Sequence, residues 1–183
     1  DGQVFYTVAR EQDYNTNLIS GQYKNSGAAR AFKKALDNKT TVFEDYDRYE
    51  ASGGKVAGFI AAPVIDKGQL MFVVALQLSP EAVTNIMQER TGLGKTGESF
   101  LVGADYKMRS DAFLDANRKV QASFDKPEAG SIKTQATEAA LQQGKTGTEI
   151  FTDYRNVEAV VTYTPLKVFD TNWVVISKLD TVE

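Results

Sequence analysis

Two short strings invite a phosphate-binding reading, Gly94-Lys95-Thr96 and Gly144-Lys145-Thr146-Gly147. A phosphate loop cradles its ligand with the backbone N–H groups of a glycine-rich turn that follows a strand and opens a helix. It also needs a glycine five residues before the Gly-Lys pair, and Glu89 stands there. Around both strings the predicted order is helix first and strand second. They are therefore read as tight turns leading into strands. Asp45, Asp47 and Glu50 form an acidic cluster. A calcium loop would need alternating oxygen ligands, a central glycine and a closing glutamate, and that pattern is absent. A solvated strand end is the better reading. The chain has no histidine and no cysteine. This removes the commonest general base, the commonest metal ligand, disulfides and thiolate sites. No catalytic residue, metal ligand or cofactor is assigned, and the chain is read as not an enzyme.

The aromatic residues are more informative. Phe43, Tyr46, Tyr49 and Phe59 fall on the two predicted strands that precede Leu70. Aromatic rings on a sheet face can line a concave pocket, and tyrosine adds a polar tip. Plain core packing is the competing reading for each of them. Asp45, Asp47 and Ser52 add polar groups able to orient a ligand. The candidate ligand-binding residues are thus Asp45, Tyr46, Tyr49, Ser52 and Phe59, joined below by Gln77.

These residues need elements to hold them. Residues 3–9, rich in β-branched and aromatic types, predict a strand, followed by a polar loop over 11–24. Ser26 caps a predicted helix over 27–37, with Ala28, Ala31, Phe32, Ala35 and Leu36 on one face. Strands are predicted over 41–46, 56–65 and 70–78, with a turn at 52–54 and a hairpin at Asp66-Lys67-Gly68. Ser79-Pro80-Glu81 opens a helix running to about Arg90. Strands follow over 99–102 and 107–112, then a polar, irregular stretch over 115–130 and a helix over 132–143. Three more strands are expected over 149–154, 159–166 and 173–179.

The halves resemble each other at an offset of about 105 residues. Phe43-Glu44-Asp45-Tyr46 answers Phe151-Thr152-Asp153-Tyr154, Ala61-Ala62-Pro63-Val64 answers Tyr163-Thr164-Pro165-Leu166, and Phe72-Val73-Val74 answers Trp173-Val174-Val175. The order helix, strand, strand, strand is kept in both, which predicts a duplicated small module. The second copy offers few candidate binding groups. Composition fits a globular protein, with 42% apolar and 25% charged residues. A net charge of −3, from 21 basic and 24 acidic residues, argues against nucleic acid as a partner. The longest apolar stretch, over 70–78, is too short to cross a bilayer, and nothing at the start reads as a signal peptide.

The strings over 5–18 (Phe5-Tyr6-Thr7-Val8-Ala9-Arg10-Glu11-Gln12-Asp13-Tyr14, then Thr16-Asn17-Leu18) and over 58–64 (Gly58-Phe59-Ile60-Ala61-Ala62-Pro63-Val64) resemble the membrane-distal module of double Cache sensor domains. Residues 94–103, with Met108-Arg109-Ser110-Asp111, resemble the opening of the membrane-proximal module. The resemblance implies an α+β fold with two tandem PAS-like modules, each an antiparallel sheet flanked by helices. Residues 1–79 would be the distal module, 80–91 a connecting helix and 92–183 the proximal module. The distal module would lack its N-terminal helix and first strand, which precede Asp1 in the family. The implied parent is a bacterial transmembrane receptor, a methyl-accepting chemotaxis protein first and a histidine kinase or cyclic-nucleotide enzyme second. This part of it would lie in the periplasm, anchored by segments outside this chain, in a homodimeric receptor. The implied partner is a small molecule: an amino acid, an organic acid or an amine. Amino-acid-binding members carry an aspartate on the last distal strand for the ligand's amino group, and Gln77 stands at that position. A neutral amide cannot neutralise an ammonium, so amino-acid specificity is not carried over. A ligand-free interaction module is the alternative from another class.

Overall fold

The computed structural model describes residues 1–183. The chain is α+β and divides into two compact units, Asp1–Ser79 and Pro80–Glu183. Each unit is built on one antiparallel sheet with a helix against it.

In the first unit, α1 spans Gly27–Asn38. Ser26 caps it as the sequence predicts, its side chain accepting from the Ala29 N–H, and Lys39 closes it in the left-handed region. Ala28, Ala29, Ala31 and Ala35 are buried, so small side chains bring the helix close to the sheet. The sheet has the order β1 (Val42–Tyr49), β2 (Lys55–Asp66), β3 (Gln69–Leu78). The predicted hairpin forms with both Lys67 (φ 48°) and Gly68 (φ 82°) left-handed, the geometry whose twist suits a two-residue connection. Ala57, Phe59 and Ala61 of β2 join the core with α1. Phe59 pairs with Gln77, so Gln77 lies on that same face. The opposite face of β3 is open: Phe72, Val74 and Leu76 are 42%, 52% and 59% exposed.

The strand expected over 3–9 does not form. Gln3 makes an isolated bridge to Asn17, and Phe5, Tyr6 and Val8 are exposed. Strand propensity needs a neighbouring strand to hydrogen-bond, and here the backbone bonds of Val4 go to the 15–17 turn, while Phe5 reaches β3 only through an edge-on ring contact with Phe72.

The second unit has the sheet order β4 (Glu98–Gly103), β7 (Thr171–Asp180), β6 (Glu158–Val168), β5 (Gly147–Thr152). Helix α2 (Pro80–Met87) packs on β4, its buried Thr84 Oγ1 accepting from the Asp111 N–H at 3.0 Å. The strand predicted over 107–112 shrinks to one bridge, Val102 to Met108. The Ser110 hydroxyl takes the Leu101 N–H at 2.9 Å, so a side chain supplants the next ladder bond. The stretch over 115–130 contains two short helices, α3 (Val120–Asp125) and α4 (Pro127–Gly130), and α5 follows at Gln135–Gln143.

The two sheets share a register. Val64 faces Phe72, Pro63 faces Val73 and Phe59 faces Gln77. Leu166 faces Trp173, Pro165 faces Val174 and Val161 faces Lys178. The proline landmark therefore coincides in both units. The Phe-Glu-Asp-Tyr landmark does not. Glu44 faces Phe59 while Glu149 faces Val161, so Glu44 answers Glu149 and Phe43 answers Thr148. A bulge between Glu44 and Asp47 shifts the rest, and Asp47, facing Ala57, answers Phe151, facing Ala159.

Candidate functional site

Tyr49 ends β1 on the face covered by α1 and is almost fully buried. Its ring meets Phe59 edge-on at 4.9 Å and Tyr23 at 6.3 Å. Its hydroxyl donates to Asp13 Oδ2 at 2.6 Å. Burial, then the Asp13 acceptor, push the phenol well above its ordinary range. The other Asp13 oxygen, Oδ1, is enclosed and has no hydrogen-bond partner. Two residues earlier in the chain, Glu11 Oε2 accepts from the Ser52 hydroxyl at 2.5 Å, and that hydroxyl accepts from Gln77 Nε2 at 3.0 Å. The 11–13 segment is held over the strand ends by Gln12, whose N–H reaches the Ala51 carbonyl and whose side chain accepts from the Tyr23 hydroxyl at 3.0 Å. Aromatic faces, two carboxylates and a neutral amide thus converge at one end of the sheet.

Of the six residues proposed from sequence, the fold brings together Tyr49, Ser52, Phe59 and Gln77. Asp45 and Tyr46 stand elsewhere. Tyr46 packs its ring against Gly58, on the face of the sheet away from α1, and its hydroxyl points to the Ser79 carbonyl. Asp45 caps the Tyr46 N–H within the bulge region. Alternation alone puts Tyr46 and Tyr49, three residues apart, on opposite faces; the bulge decides that Tyr49 rather than Tyr46 shares the face of Glu44 and Phe59. Asp47 and Glu44, part of the acidic stretch, pair with α1: Arg30 bridges both, and Lys34 reaches Glu44 at 2.7 Å. Glu11 and Asp13 were missed because the polar 11–24 stretch has no periodicity. The only signal was two carboxylates following an aromatic string.

The second unit is richer in polar groups than its sequence suggested. Lys178 on β7 is 1% exposed and lies 2.6 Å from Asp153 and 3.2 Å from Glu98, themselves 2% and 0% exposed. Arg155 bridges Asp153 and Asp180. Despite its burial, Asp153 is held below its ordinary carboxylate range by the Lys178 ammonium paired with it and by hydrogen bonds from the Arg155 side chain and the Arg155 and Val157 N–H groups. A cavity of about 10 Å³, room for one water, lies among Phe100, Ile132, Phe151, Val161 and Ile176. A lysine at an inward position of the strand alternation Val174, Ile176, Lys178 was the available signal.

The Gly-Lys-Thr turn does bind an anion, but one from its own chain. The Lys95 and Thr96 N–H groups and the Thr96 hydroxyl donate to the Glu183 carboxylate at 2.7, 2.8 and 2.6 Å. These donors, the Thr96 hydroxyl first, lower the Glu183 pKa to about 2.

No protein-family model and no curated relative matches the chain. Solved structures do. The periplasmic sensory domain of the Campylobacter jejuni chemoreceptor Tlp1 is similar at 19% identity and a TM-score of 0.59, over 90% of this chain and 56% of that one. The ligand-binding domain of the Pseudomonas aeruginosa amino acid chemoreceptor PctB, in complex with L-arginine, is similar at 18% identity and 0.53, over 83% and 59%. That of the Pseudomonas fluorescens chemoreceptor CtaA, in complex with L-serine, is similar at 20% identity and 0.51, over 84% and 60%. The chain thus spans 56–60% of the length of these three domains. What it shares with them is the fold of the ligand-binding sensory domains of bacterial chemoreceptors.

Proposed function

We propose that this chain is a small-molecule sensing region from the periplasmic part of a bacterial transmembrane chemoreceptor. The observation that carries the reading is the group at the end of the first sheet, in a fold shared with chemoreceptor sensory domains. There Asp13, bonded to Tyr49, keeps an enclosed, unpartnered oxygen, and Glu11, two residues away, joins Ser52 and Gln77. In this reading residues 1–79 form the membrane-distal sensing module, 80–91 a connecting helix and 92–183 the membrane-proximal module. The common register of the two sheets supports a duplicated PAS-like plan. The open face and unpaired edge of β3 support a first module completed by a strand and helix that precede Asp1. Ligand binding shifts a two-state arrangement in the distal module, and the proximal module passes the shift toward the membrane of a homodimeric receptor. Binding rather than turnover is its role. The ligand is an amino acid, an organic acid or an amine; the relatives in complex with L-serine and L-arginine put amino acids among the first to try.

A thermal-shift screen of these three classes on the complete ectodomain tests the reading. A ligand at about a hundred times its Kd stabilises the fold by roughly 2.7 kcal/mol, several degrees in Tm. Asp13→Asn and Gln77→Ala are expected to abolish that shift without lowering the Tm of the free protein by a comparable amount. Failure of every compound to stabilise the ectodomain would overturn the sensing role.

A further inference from the structure

Lys178 occupies the position in the second sheet that Gln77 occupies in the first, since Val161–Lys178 repeats the register of Phe59–Gln77. Its ammonium stands 2.6 Å from Asp153, 3.2 Å from Glu98 and 5.2 Å from the centre of the Tyr154 ring. Both carboxylates are positioned by groups other than the lysine. Glu98 accepts from the Phe113 and Leu114 N–H groups at 2.9 and 3.0 Å and from the Tyr154 hydroxyl at 2.5 Å. Asp153 accepts from the Arg155 and Val157 N–H groups at 2.7 and 3.1 Å and from Arg155 Nε at 2.9 Å. The lysine's neighbours around the adjoining cavity include the apolar side chains Phe100, Val161 and Ile176.

Two fixed carboxylates, an aromatic ring and an apolar surround are what a primary alkylammonium needs: charge-assisted acceptors, a π face and cover for its carbon chain. We propose that the pocket side of the second sheet is an alkylammonium-binding site, filled by the protein's own Lys178. The lysine is a tethered occupant. It keeps this unit in a liganded state and closed to outside molecules, while the matching position of the first unit holds the neutral Gln77, whose amide donates to Ser52. The inference stands on the second unit alone and is independent of the ligand sensed by the first.

A buried ion pair serving stability only is the competing account, and chemical rescue separates the two. Lys178→Ala removes atoms equivalent to n-propylamine. The variant is expected to melt roughly 10 °C below the parent chain. Millimolar n-propylamine should restore at least half of that loss in a saturable way, and n-propanol and propionate should restore none. The parent chain should not respond, and the response should disappear when Glu98→Gln is added to the variant. If Lys178→Ala does not fold in buffer, recovery of its circular dichroism signal on adding n-propylamine becomes the readout. An equal response to n-propanol, or no response in either melting or circular dichroism, overturns the proposal.

Discussion

A tyrosine hydroxyl that donates to a carboxylate in a buried setting has a measurable signature. Tyr49 gives its proton to Asp13, and Tyr154 gives its proton to Glu98. Desolvation and then the acceptor raise both pKa values from the ordinary 10.0. Since the folded value lies above the unfolded one, the stabilisation is complete below pH 10 and is lost as pH climbs beyond it. Ultraviolet titration is therefore expected to leave at least two of the eight tyrosines un-ionised until the chain unfolds. Tyr49→Phe and Tyr154→Phe should each remove one such tyrosine. Ionisation of all eight in folded protein near pH 10 would contradict these hydrogen bonds. Part of this detail was legible in the sequence and part was not. Phe59 and Gln77 could be gathered because they lie on predicted strands with known alternation, and Tyr49 and Ser52 because they sit in the short connection between two of those strands. Asp13 and Glu11 could not, because their place depends on a loop folding back across 36 and 41 residues of chain.

At the level of elements, local chemistry decides what a sequence can reveal. Helix α1 was readable because the Ser26 cap and the alanine spacing both mark it. Ser26→Ala removes the acceptor for the Ala29 N–H and is expected to cost about 1 kcal/mol in urea denaturation, with Ser26→Asp close to neutral. Strands required more than propensity. The 3–9 segment has the right residues and no adjacent strand, whereas β2 has fewer aromatic residues and pairs on both sides. The bulge in β1 is a second case. Nothing in Glu44-Asp45-Tyr46-Asp47 announces it, yet it decides that Tyr49 rather than Tyr46 lies on the face of Glu44 and Phe59. Short helices α3 and α4 escaped notice because a single turn leaves no periodicity to detect.

For the whole molecule, the repeated register makes equivalent positions comparable. Phe72 and Trp173 occupy the same place beside Val64 and Leu166, but Phe72 is 42% exposed and Trp173 only 5%. The difference follows from sheet order: β7 lies between β4 and β6, while β3 has β2 alone. Phe72→Lys is therefore expected to change the stability of this chain by less than about 1 kcal/mol, and Trp173→Lys to cost more than about 3 kcal/mol. Equal costs in urea denaturation would mean that β3 is covered in solution.

The Glu183 carboxylate adds a mechanical consequence. The start of β4 lies beside the end of β7, with Glu98 opposite Lys178, so the chain enters and leaves the second sheet at adjacent points. A force drawing those two points apart would load the β4–β7 ladder one hydrogen bond at a time, the weakest direction for a sheet. Glu183 fastens the outgoing segment to the Lys95 and Thr96 amides ahead of that ladder. It therefore takes the load before the first bond of the ladder.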